Sequence, residues 1–196
     1  MFKTGKFCRI TLCVLLIVSI AGVSYAAMLR SPKQDSESQS RRRSRMYLPN
    51  TGSIAVLADS QDSQHAAIAE AVMIDELMAN GYNVVDDAAL ARLHRQAQKE
   101  GAIARAFGGN VTGIANLGRS AKASYTILAR VKAGIPERNE AKLYTGTASA
   151  VILAVSSKGE KIGGRSFSGK AVGYTVDEAR EKALEKAVLE GLRQLL

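Results

Sequence analysis

The side chains with chemical potential in this sequence of 196 residues are two histidines, a pair of aspartates, a serine-rich string and one glycine-rich stretch. His65 stands at the start of an expected helix and His94 inside another. Neither has a His or carboxylate four residues away, which a helix-borne metal site would use. Gly164-Arg165-Ser166-Phe167-Ser168 approaches a nucleophile elbow but ends in Ser where the elbow needs Gly. It also falls in an expected hairpin rather than a strand-to-helix turn. Asp86 and Asp87 are adjacent and point in different directions, which suits a helix cap better than an acid–base pair. Gly108-Gly109-Asn110-Val111-Thr112-Gly113 lacks the Gly-Lys-Ser/Thr ending of a phosphate loop and is expected to be a turn. Asn110-Val111-Thr112 has the form of a glycosylation sequon, a triplet that chance often supplies. No catalytic set, metal site or cofactor site is expected. Composition leaves a Ser-His-acid hydrolase open only if a deep pocket holds His94 or His65 beside a carboxylate and a hydroxyl.

The first 26 residues set the expected compartment. Lys3, Lys6 and Arg9 form a basic start, Ile10 to Ala21 is uncharged, and Ser24-Tyr25-Ala26 places small residues where a signal peptidase reads. A cleavable signal over 1–26 is expected, giving a periplasmic or secreted protein. The alternative is an uncleaved inner-membrane anchor, since the uncharged stretch runs on to Ala27. Cys8 and Cys13 are the only cysteines, so cleavage would remove both and exclude disulfides, a thiol nucleophile and a Cys-based metal site.

Residues 27–46 are expected to be a disordered basic linker, rich in Ser and Gln and nearly devoid of apolar side chains. Its Arg41, Arg42, Arg43 and Arg45 are a candidate contact for an anionic membrane or cell-wall surface. Nucleic acid is not expected, because no aromatic residues interleave the arginines. Residues 47–196 hold 18 cations against 16 anions, so the basicity of the chain lies ahead of them.

The elements that must position any site begin at Ser53. Ser53 to Asp59 is a short apolar run expected to be a buried strand. Gln64 to Asn80 is expected to be a helix capped by Ser63 and stopped at Asn80-Gly81. Its apolar side chains surround the axis, so Met73, Ile74, Leu77 and Met78 are candidates for an oligomer or partner face. Tyr82 to Val85 is a second strand, and Asp86 or Asp87 caps a helix from Ala88 to Lys99. In 101–122 the glycines break any long helix, leaving a short one over Thr112 to Ser120. Tyr125 to Ala133 is a third strand. Ala141–Val155 and Lys161–Val172 form a long hairpin, with Gly163, Gly164 and Gly169 suggesting bulges or bending. Thr175-Val176-Asp177-Glu178 is a capping box that starts a helix running to Leu195. The order implies an α/β (α+β) domain with a mixed sheet of about five strands, a βαβ start, a long antiparallel hairpin, packed helices and a closing helix.

Several strings support a resemblance. SIAVLAD over 53–59, Leu77-Met78-Ala79-Asn80-Gly81-Tyr82-Asn83-Val84-Val85-Asp86, and Leu117-Gly118 followed by Ala123 to Leu128 are similar to the superfamily that includes CsgG, the amino-terminal domain of TolB, LpoB and the middle domain of FlgT. Ser124 stands where that group usually has Asp before the tyrosine, and no segment matches the membrane-spanning hairpins of CsgG. The resemblance implies no catalytic residues and a bacterial envelope module that binds other proteins. The expected function is therefore a non-catalytic periplasmic interaction module in envelope or surface-structure assembly, with other envelope proteins and itself as candidate partners. A homo-oligomeric structural component of an envelope or secretion complex is the alternative.

Overall fold

The computed structural model describes Leu48, Pro49 and residues 51–196. The signal-like start and the arginine run lie outside the described residues. In chain order the elements are β1 (Ser53–Asp59), α1 (Ser63–Ala79), β2 (Asn83–Val84), α2 (Asp87–Lys99), α3 (Ala102–Phe107), α4 (Thr112–Ser120), β3 (Tyr125–Ala133), β4 (Glu137–Arg138), β5 (Tyr144–Ser156), β6 (Lys161–Gly173) and α5 (Val176–Arg193). This is the mixed α/β sheet that the sequence implies, with six strands where about five were expected. The additional strand, β4, is only two residues long.

The sheet runs β2-β1-β3-β5, with β6 on the far edge of β5. The β2-β1 and β1-β3 pairs are parallel; β3-β5 and β5-β6 are antiparallel. β1 is buried along nearly its whole length because helices cover both of its faces, which explains its unbroken apolar run. Ile54, Val56 and Ala58 face a core shared with Met73 and Leu77 of α1 and Leu184, Val188 and Leu192 of α5. Ala55 and Leu57 face a second core, closed by Leu93 of α2, Ile103 of α3 and Ile114 of α4. That second layer reaches only Leu153 and Val155 of β5. Among the described residues, no helix lies over the rest of that face of the hairpin.

Local chemistry fixes the helix ends. Asp62, not Ser63, caps α1: its side chain accepts the Gln64 N–H at 2.9 Å. At the other end Gly81 has φ +80, the Gly81 N–H donates to Met78 O and the Tyr82 N–H to Leu77 O. These are the paired bonds by which a left-handed glycine closes a helix. Asp86 caps α2 by accepting the Ala89 N–H at 2.8 Å. α3 is not foreseen in the sequence, because six residues between Gly101 and Gly108 are too few for a helical period to show. The capping box of α5 forms with one change. Thr175 Oγ1 accepts the Glu178 N–H, but Glu178 Oε2 reaches the N–H of Tyr174 at 2.7 Å rather than that of Thr175.

The glycines of the hairpin divide into two kinds. The register slips between Ala154 and Val155, opposite Ile162, so the expected bulge lies beside Gly163. Gly169 is different. A Cβ there would strike Ala183 O of α5 and lie 2.7 Å from Ala187 N, and one on Gly146 would strike Ala179 O. A Cβ on Gly173 would lie 2.6 Å from Ala179 N. These glycines are spaces into which the α5 backbone settles, and the alanines on α5 complete the seam.

Between the two helices of this layer, Arg193 Nε donates to Glu76 Oε1 at 2.9 Å. That bond, with the nearby positive charge, holds the Glu76 carboxyl below its ordinary value of 4.5. A carboxyl with a lowered folded-state pKa stabilises the fold above its unfolded value, and that contribution is lost as pH falls through the folded one. Urea unfolding followed between about pH 6 and about pH 3 should therefore lose less stability for Glu76→Gln than for the parent chain. In the seam, Gly169→Ala should cost about 2–3 kcal/mol by overpacking. Ser168→Ala, next to it on the uncovered face, should change the unfolding free energy by less than about 0.5 kcal/mol.

Candidate functional site

Two places on the described surface hold the chain's unspent chemistry. The first is a cleft of about 630 Å³ between α1 and α2, along the edge of β1. It exists because β2 pairs only with Ser53 and Ile54, so among the described residues the later part of β1 has no strand beside it on that side. A bare edge N–H inside the fold needs an acceptor. Glu70, two turns into α1, supplies it: its Oε1 accepts the Ala58 N–H at 2.7 Å. The same oxygen lies 3.0 Å from His94 Nδ1 of α2, and His94 Nε2 lies 2.8 Å from Gln98 Nε2.

The Gln98 amide, the His94 ring and the Glu70 carboxylate thus form one connected set of polar contacts, with the Ala58 N–H on the same carboxylate. Sequence reading missed Glu70, which is 24 positions from His94. The α1 and α2 periods place both on the cleft side, but only the short β2 brings them together. The arrangement has a histidine and a carboxylate in one cleft, with Ser60 and Ser63 also on its wall. Yet Nε2, the atom a serine would need as its base, is occupied by Gln98. Glu70 closes the open edge of β1 at Ala58.

Other sequence candidates fall as follows. His65 Nε2 lies 3.6 Å from Asp62 Oδ2 at the start of α1, a cap-side position. Asp86 is a cap, Gly108 ends α3 and Gly109 turns with φ +100 before α4. Arg41, Arg42, Arg43 and Arg45 lie outside the described residues. Of the proposed apolar face, Met73 and Leu77 are fully buried against the sheet and α5, Ile74 is half-buried beside the cleft, and Met78 is 62% exposed. The helix is apolar all round because it is covered on more than one side by its own fold, and Met78 is the most exposed of the four. Asp59 and Arg130, neighbours across β1 and β3, form an ion pair at 3.0 Å, and the Arg130 guanidinium lies over the Phe107 ring at 4.4 Å.

The second place is the end of the sheet where β4, the start of β5 and the end of β6 meet. Thr145 of β5 is paired with Glu137 on one side and Val172 on the other. Around this point Ile135 is 89% exposed, Tyr174 79% and Val172 45%. Val172 is the last outward-facing residue of β6, and Tyr174 stands in the bend that follows Gly173. Apart from these three and Met78, the large apolar side chains of the described residues are at least partly covered. No sequence signal marked these residues, because they come from two separate stretches of chain, the link between β3 and β4 and the end of β6 with the bend after it.

The edge-sealing role of Glu70 is testable by substitution. Glu70→Ala leaves the Ala58 N–H without an acceptor and should cost about 1–3 kcal/mol of unfolding free energy. Glu70→Gln keeps a carbonyl oxygen for that N–H and should recover most of the loss, read by urea denaturation.

No protein-family model and no curated protein matches the chain. Among solved structures it is similar to the PelC dodecamer from Paraburkholderia phytofirmans, at 12% identity over 76% of this chain and 92% of that one, with a TM-score of 0.43. It is similar also to lipoprotein GNA1162 from Neisseria meningitidis, at 19% identity over 73% and 99% of the two chains, TM-score 0.43. A minor lipoprotein from Acinetobacter baumannii matches at 10% identity over 72% and 90%, TM-score 0.39. Likenesses this distant assign neither family nor function, and the superfamily resemblance stands on the sequence strings alone.

Proposed function

We propose that this chain is a non-catalytic interaction module of the bacterial cell envelope, exported through its signal-like N-terminal segment and acting in the assembly of an envelope structure. The observation that carries the protein-binding part is the grouping of Ile135, Val172 and Tyr174 at one end of the sheet. Single exposed apolar residues are ordinary, but three at one end of the sheet, from the β3-β4 link, the end of β6 and the bend after it, beside a sheet face that no described helix covers, mark a surface meant to be covered. Aromatic side chains such as Tyr174 are favoured anchors at such contacts, since they bring large area at low entropic cost. The cleft supports the same reading, because its one histidine–carboxylate pair is committed to the backbone of β1. The envelope setting rests on the N-terminal residues and on the sequence resemblance. Among the described residues no helix is long and apolar enough to cross a membrane.

A photo-crosslinking residue placed at Tyr174 should capture a defined partner in envelope fractions, with or without residues 28–46. The double variant Ile135→Ser, Tyr174→Ser, probed with the crosslinker at Val172, should lose that capture while its unfolding free energy stays within about 0.5 kcal/mol of the parent. Capture by the tailed form alone, of many proteins indiscriminately, would place the activity on the basic segment and overturn the reading.

A further inference from the structure

β6 is the outermost strand of the sheet: among the described residues it pairs with β5 and with no other strand. Which of its backbone groups are free follows from β5. The Gly134 N–H donates to Thr147 O at 2.7 Å, and the Ser157 N–H to Ser124 O at 2.8 Å, so odd-numbered residues along β5 turn their backbone groups toward β3. The even-numbered residues of β5 then bond β6, where their register partners are the odd positions from Gly163 to Gly173. Between them, Gly164, Ser166, Ser168, Lys170 and Val172 aim their N–H and C=O groups away from the sheet. The same alternation puts the side chains of Ser166, Ser168, Lys170 and Val172 on the face that α5 does not cover. The free ladder thus ends at the exposed Val172, two residues ahead of the exposed Tyr174.

The charge along this edge is of one sign. β6 carries Lys161, Arg165 and Lys170 and no acidic residue, and β5 carries no charged residue at all. A second copy of β6 set against the first would bring Lys161, Arg165 and Lys170 of one toward those of the other, which is how edges discourage pairing with themselves. The same charges favour an added strand of opposite sign. We propose that the free edge of β6 receives an extended, acidic segment of a partner protein as an added strand. The backbone ladder from Gly164 to Val172 supplies hydrogen bonds, Lys170 an ion pair, and Val172 with Tyr174 the apolar anchor. This rests on the protein-binding reading above and names its partner chemistry.

The test uses the folded chain and a short blocked peptide alternating Glu and Val, with a counterpart alternating Lys and Val. Titration of the first should shift the amide resonances of Gly164, Ser166, Ser168, Lys170 and Val172, and the second should leave them in place. Ser168→Pro removes an N–H that the β5 ladder does not use, a position where an edge strand tolerates proline, and should weaken binding by at least about tenfold. Lys170→Glu keeps the backbone intact and should reverse the preference between the two peptides. Equal response to both peptides, or shifts confined to other elements, would sink the proposal. So would a concentration-dependent dimer that Ser168→Pro abolishes, which would give the edge to a second copy. If the partner crosslinked from Tyr174 survives both β6 variants, the protein-binding reading stands and the edge proposal falls; if no partner crosslinks in the parent chain, the protein-binding reading itself has failed.

Discussion

The arrangement of this fold depends on the close approach of α5 to the β5-β6 hairpin. Ala179, Ala183 and Ala187 present a stripe of small side chains, and Gly146, Gly169 and Gly173 present none, so helix backbone meets strand backbone with nothing between. Attraction at such a seam comes from many short dispersion contacts, each weak, and falls steeply with any gap. Larger residues lie beside the seam: Leu184, Val188 and Leu192 turn to the core shared with α1. The capping box at Thr175 and Glu178, with Lys182 drawing the Glu178 carboxyl below the usual range, fixes where the helix begins and so which alanine meets which glycine. Once α5 is seated, α1 has a wall to pack on, and the Arg193–Glu76 bond ties the two together.

The other face is organised by shortage. α2, α3 and α4 are small and cover β1, β3 and only the last part of β5. β2 is too short to complete the edge of β1. These two deficits leave different problems. The edge of β1 is inside the fold, where an unpaired N–H costs its full desolvation, and Glu70 with His94 resolves it. The uncovered face of the hairpin is in water, where Thr147, Ser149, Ser166 and Ser168 are at home and no acceptor is required.

Much of this layout is legible in the residues. β1, β3, the hairpin and α5 announce themselves through long apolar or alternating runs and a capping box, signals confined to one stretch of chain. The apolar circumference of α1 is legible too, but not its meaning: Met73 and Leu77 look the same whether a helix from the same chain or a second subunit covers them. The glycines of β6 carry the same ambiguity. Gly163 beside a bulge and Gly169 under a helix are identical in sequence, and only the position of α5 separates them. The Glu70–His94 pair and the Ile135–Val172–Tyr174 group are long-range products of topology. No local period encodes them, because each joins segments that only the β2-β1-β3-β5-β6 order makes neighbours.

The two edges of the sheet then differ in kind. At β1 the fold spends a charged side chain and a histidine to close a ladder that has no strand. Among the described residues, β6 leaves a longer ladder open, and the strand carries cations along it. A need to conserve backbone hydrogen bonds explains the first but not the second, since water satisfies the β6 groups without cost. Protection against self-pairing accounts for the cations on β6. It does not account for Val172 and Tyr174, because apolar side chains at the end of a guarded edge work against the guard. An edge that repels copies of itself yet ends in an exposed aromatic and a β-branched residue is consistent with selection among partners rather than with avoidance of all of them.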